Sequence, residues 1–131
     1  MATRADFRRI GLPMPSSNTT QEPEFIRMPP DGVTLHVARL PLRNVEPNAT
    51  IGIVEDIESE ARKLPDADVV MLACGNWRTL GIVGALESAI GKPALTTNQV
   101  SLWAVRRLAG CTRPIPGCGM PMRHHMIEKV A

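Results

Sequence analysis

A chain of 131 residues with 44% hydrophobic content can fill one core and is too short for two ordinary ones, so a single domain over 1–131 is expected. Fifteen basic against thirteen acidic residues leave a formal charge of +2 without any block of about five or six like charges, and aromatic content is only 3% with no tyrosine. Neither nucleic acid nor an anionic membrane is indicated as a partner.

The opening MATRADFRRIG has no apolar stretch of secretory type, and no window approaches the roughly eighteen apolar residues of a membrane span. Cys74, Cys111 and Cys118 form no C-x-x-C pair. A cytoplasmic protein with free thiols is the expectation.

Phe7 to Leu12 reads as a first strand closed by Pro13 and Pro15, and the polar run Ser16-Ser17-Asn18-Thr19-Thr20 reads as a loop feeding a helix. Gln21 to Met28 forms that short helix, with Pro23 near its start and Pro29-Pro30 as its stop. After the turn signal Pro30-Asp31-Gly32, Val33, Leu35 and Val37 alternate with Thr34, His36 and Ala38, which predicts a second strand over 33–40.

From Asn48 to Leu64 the residues Ile51, Val54, Ile57, Ala61 and Leu64 recur at helical steps, with acidic and basic residues between them. Pro65 ends this amphipathic helix. Asp68 to Ala73 is an unbroken apolar run, as in a parallel strand buried on both faces, and Cys74 stands at its carboxyl end. Thr79 to Ile90 carries helical spacing up to Gly91, a left-handed stop. Pro93 to Thr97 reads as a fourth strand, and Asn98 as the cap of a last helix reaching Leu108 before Gly110. A Pro/Gly-rich stretch and a basic tail, Arg123 to Lys129, follow. Strand and helix alternate throughout, which favours an α/β architecture with a mostly parallel sheet flanked by helices.

In such sheets ligands bind outside the carboxyl ends of the strands, and the loops Ser16 to Thr20 and Cys74 to Thr79 both lie there. A cysteine just before a helix meets the positive end of the dipole and unpaired amides, which favour its thiolate. Gly75 would let a substrate approach the backbone, and Arg78 would add positive charge. The bland alternative is a small buried apolar residue at a strand end. Ser16, Ser17, Asn18, Thr19 and Thr20 offer donors for a carboxylate or phosphate, or simply an N-cap and turn. Cys111, Cys118, His124 and His125 have no zinc spacing, so no metal site is expected.

Two blocks carry a family resemblance. Arg9-Ile10-Gly11 with Pro15-Ser16-Ser17-Asn18-Thr19-Thr20 and Glu22-Pro23-Glu24-Phe25 resembles the opening of maleate cis-trans isomerases and arylmalonate decarboxylase-like proteins, in the aspartate/glutamate racemase superfamily. Asp68 to Thr79, continuing through Gly91-Lys92-Pro93 and Thr97-Asn98-Gln99, is similar to the cysteine loop of their second lobe. Residues 1–46 thus resemble the start of the first lobe and 66–122 the end of the second, as in an internally shortened member.

The resemblance implies flavodoxin-like lobes with the site between them, acting on small dicarboxylates without metal or organic cofactor. It assigns Cys74 to the second-lobe cysteine, a proton donor or nucleophile. Ser16, Ser17 and Asn18 match the substrate-carboxylate loop, and Gly75, Asn76 and Asn98 are further substrate-binding candidates. The first-lobe cysteine has no counterpart, so a one-cysteine decarboxylation fits better than a two-thiol racemisation.

Two other readings stand beside that one: an inactive shortened relative that binds small carboxylates or a partner protein, and a cysteine hydrolase with His36 as its base. A shortened sheet with unpaired edges invites another copy, and a homodimer that rebuilds the missing lobe is a further expectation.

Overall fold

The computed structural model describes residues 7–41, 50–111 and 113–119. The expected helix start at Asn48 and the basic tail from Arg123 to Lys129 lie outside them, as do the side chains of Ile51 and Val54.

Among the described residues eight elements alternate in chain order: β1 (Arg8–Pro15), α1 (Gln21–Arg27), β2 (Val33–Leu40), α2 (Thr50–Arg62), β3 (Val69–Leu72), α3 (Val83–Ile90), β4 (Ala94–Thr96) and α4 (Thr97–Leu108). The strands form one sheet in the order β2-β1-β3-β4, and every pairing is parallel. The expected α/β class is therefore observed, and the strand expected over 33–40 has those bounds.

β1 runs beyond its expected end at Leu12, through both prolines. Even-numbered residues of β1 face β2: the Arg8 amide donates to Gly32 at 2.7 Å and the Ser16 amide to Leu40 at 2.8 Å. Odd-numbered residues face β3, so the missing N–H groups of Pro13 and Pro15 cost the β1–β2 ladder nothing. That ladder extends from Arg8↔Val33 to Pro15↔Leu40, whereas the β1–β3 register covers only Ile10↔Val69 and Gly11↔Val70. The Pro13 carbonyl still accepts from the Ala73 amide at 3.1 Å.

One face of the sheet is sealed by α2 and α3. Ile57 and Ala61 of α2 and Val83 and Leu86 of α3 pack with Leu40, Val70, Leu72 and Ala94, and Trp77 joins the same cluster. Each fully buried Leu, Ile or Val there contributes roughly 1.5–3 kcal/mol relative to exposure. Gly11 belongs to this face: an added Cβ would lie 3.0 Å from Ala67 Cβ and 3.1 Å from Leu64 Cδ1. The other face holds a smaller cluster of Leu12, Met14 and Ala73, packed by Phe25 of α1 with Val37 and Met71.

Two helix starts differ from expectation. α3 starts at Val83 rather than Thr79, because Thr79 and Ile82 donate to Trp77 and Thr79 in successive turns. The cap of α4 is Thr96 rather than Asn98: Thr96 Oγ1 accepts from the Gln99 amide at 3.2 Å while Gln99 Oε1 accepts from the Thr96 amide at 3.1 Å. Gly91 does end α3 in the left-handed region, at φ 67°. Among the described residues no helix is long and apolar enough to cross a membrane.

Candidate active site at the carboxyl end of the sheet

β3 ends at Leu72, and two residues later Cys74 emerges, partly buried against the α2/α3 core. Three side chains from other elements hold this segment. Asn18 Nδ2 donates to the Ala73 carbonyl at 3.1 Å. Thr97 Oγ1 donates to Leu72 at 3.3 Å, and Asn98 Nδ2 to Trp77 at 3.0 Å. The β1–α1 loop and the start of α4 therefore clasp the cysteine segment from two sides.

Asn18 is fully committed in this arrangement. Its amide nitrogen also donates to Gln21 Oε1, and its Oδ1 accepts from the Thr20 and Gln21 amides at 3.3 and 3.2 Å. It caps α1, whose own N-cap residue Thr20 makes no side-chain cap. Arg39, which the sequence reading passed over, completes the loop: its guanidinium donates to the Asn18 carbonyl at 2.6 Å and pairs with Glu22. The register Met14↔Arg39 puts this arginine beside the loop, a relation visible only once β1 and β2 are paired.

Beside Cys74 lies an open depression of about 320 Å³ lined by Gly75, Asn76, Arg78, Thr79 and Asn98 among others. An added Cβ at Gly75 would meet only Asn98 Oδ1, at 3.7 Å, so the backbone is open toward this space. Arg78 is exposed and its guanidinium has no ion-pair partner among the described residues. Trp77 Nε1 and Thr79 Oγ1 are buried without a hydrogen-bond partner among those residues. Such groups cost free energy when left unpaired and are rare in folded proteins.

Of the residues expected at the site, Gly75, Asn76 and Asn98 share the depression, and Cys74 adjoins it through Gly75 without lining it. Asn18 reaches the residue before Cys74. Ser16 and Ser17 are exposed in the turn that closes β1 and do not line the depression. The expected contact of Cys74 with a helix N-terminus is not made: Gly75 to Ile82 separate it from α3, and the dipole effect fades within one turn.

His36 pairs with Gly11 in mid-sheet, and β1 separates its strand from β3. Its ring is exposed and bonded to Thr34 Oγ1 at 3.1 Å, so it is not placed as a base for Cys74. No group of three His, Cys, Asp or Glu among the described residues is arranged to hold a metal; His124 and His125 lie outside them.

No family model matches the sequence. A stretch of 56 residues, 42% of the chain, is 34% identical to arylmalonate decarboxylase of Bordetella bronchiseptica and covers 23% of that protein. The fold is similar to a crystal structure of arylmalonate decarboxylase, with TM-score 0.70 and 22% identity over 88% of this chain and 51% of that one. It is also similar to the maleate isomerase of Pseudomonas putida S16, with TM-score 0.59 and 24% identity over 79% of this chain and 50% of that one. The resemblance read from the blocks at Arg9 and Asp68 thus holds in fold and in one stretch of sequence: the chain is similar to arylmalonate decarboxylase and maleate isomerase, as a relative spanning about half the length of their structures.

Proposed function

We propose that this chain is a cofactor-independent isomerase or decarboxylase acting on a small dicarboxylate of the maleate or arylmalonate type, with Cys74 as proton donor or nucleophile. The observation that carries the reading is the position of Cys74. It follows the strand end, its segment is clasped by Asn18 and the start of α4, and it stands next to a depression bearing the Arg78 guanidinium, which has no ion-pair partner among the described residues, and the Asn76 and Asn98 amides.

In the decarboxylation, Arg78 and the amides hold one carboxylate by charge-assisted hydrogen bonds. The bond to the other carboxylate breaks, carbon dioxide leaves, and the electron pair forms an enediolate on the retained carboxylate, stabilised by Arg78 and the same amides. The Cys74 thiol gives its proton to the α-carbon, and the resulting thiolate recovers a proton from water.

The test is to incubate the chain with maleate and with an arylmalonate and follow both by proton NMR, beside Cys74→Ser. Turnover that survives the substitution would sink the reading.

A second reading, an inactive relative that binds small carboxylates, draws on the commitment of Asn18 to internal bonds and on the absence of Cys74 from the depression's lining. Saturable binding of maleate by calorimetry without turnover would favour it.

A further inference from the structure

Two buried hydrogen-bonding groups beside Cys74 take no part in the steps above. Trp77 Nε1 and Thr79 Oγ1 have no hydrogen-bond partner among the described residues, and the two residues are only 4% and 1% exposed. Both line the depression next to Gly75. The backbone that carries them is tied down: the Trp77 carbonyl accepts from Asn98 Nδ2 and from the Thr79 amide, each at 3.0 Å, and the Thr79 carbonyl accepts from the Ile82 amide at 3.1 Å. A fixed segment that leaves two adjacent polar side chains unpaired carries a free-energy cost that a bound group can remove.

A third group completes the set. Asn98 bonds the Trp77 carbonyl through Nδ2, while its Oδ1 has no partner among the described residues and lies 3.7 Å from a Cβ added at Gly75, in the same depression. The indole N–H only donates, the amide oxygen only accepts, and the threonine hydroxyl does either.

Taking the depression to be the substrate site, as the proposed function does, we infer that Trp77 Nε1, Thr79 Oγ1 and Asn98 Oδ1 form a neutral subsite for a hydroxyl group, and that the substrate is a hydroxyl-bearing small dicarboxylate. A hydroxyl accepts from the indole and donates to the amide oxygen, so it satisfies both kinds of group at once. A carboxylate at these atoms would be buried without a counter-charge, because Arg78 is exposed. An aryl group would leave both buried groups unpaired in the complex as well. Sites built to bond a hydroxyl reject analogues without one for that reason. Leu80 lines the same depression and is 38% exposed, so its side chain can rotate outward to admit the group.

The test is calorimetric titration of the full 131-residue chain with hydroxymalonate, methylmalonate and phenylmalonate, the first two being close in size. Trp77→Phe and Thr79→Val, each checked for fold by circular dichroism, are titrated beside the wild type. Hydroxymalonate is expected to bind the wild type about tenfold or more tightly than either analogue. Each folded variant should lose most of that preference, which a merely structural role would not change. Thr79→Val keeps the side chain's shape, so the test stands if Trp77→Phe fails to fold. Methylmalonate or phenylmalonate binding as tightly as hydroxymalonate, or a preference that neither folded variant reduces, overturns the inference and leaves the proposed function intact. A wild type that binds none of the three overturns both.

Discussion

Asn18 and Ala73 are 55 residues apart in sequence and joined by one hydrogen bond, amide to carbonyl, at 3.1 Å. Because the same side chain caps α1, one residue both starts that helix and fixes the strand end that presents Cys74. Asn18→Ala is expected to lower stability by about 1–2 kcal/mol, read from the urea midpoint. Asn18→Asp keeps the cap acceptor but loses the donor to Ala73, so it should recover part of that stability while Cys74 alkylation still differs from wild type. Identical alkylation rates in all three proteins would contradict the positioning role.

Cys74→Ser should reduce any decarboxylase or isomerase turnover by about a hundredfold or more while the circular dichroism spectrum stays unchanged. Cys111 is exposed and outside the site, so Cys111→Ser should leave turnover as it was. Equal losses in the two variants would point to general thiol damage rather than to a working residue.

Much of the fold is legible along the chain because α2 and β2 carry the periodicities of their elements and β3 an unbroken apolar run. What sequence alone misses are relations that exist only after pairing. Pro13 and Pro15 read as strand breakers until the side of β1 they face is known, since a proline on the β3 side spares the β2 ladder. The start of α3 is misread because Leu80 and Ile82 continue the helical spacing of Val83, Leu86 and Ile90 while the backbone makes turns there. The Cys74 loop is visible from its place after an apolar strand. The roles of Arg39 and Asn98 are not, because their partners lie on other elements.

Thr96, fully buried, caps α4 in a reciprocal box with Gln99. Thr96→Ala is expected to cost about 1 kcal/mol from the lost cap alone. Because Thr97 and Asn98 follow it and bond to Leu72 and Trp77, ligand binding in the depression should weaken with it. Thr96→Ser retains the hydroxyl and should recover both properties, measured by thermal unfolding and by maleate titration.

Gly11 leaves no room for a side chain between β1 and the α2–β3 connection, where an added methyl would press on Ala67 and Leu64. Gly11→Ala should destabilise the protein by about 1–3 kcal/mol. Gly81→Ala, with nothing within 4 Å of the new atom, is the control and should shift the urea midpoint little.

β1 comes first among the strands yet lies second in the sheet, bonded to β2 on one side and β3 on the other. Among the described residues no other strand joins those two halves. A truncation from the amino end that removed β1 would therefore not trim an edge. It would split the sheet into β2 alone and a β3–β4 pair, and the remaining helices would have no common surface on which to assemble. Proteolysis or tagging near Arg8 should consequently affect folding as a whole, whereas the same change at β4, an edge strand, would act locally.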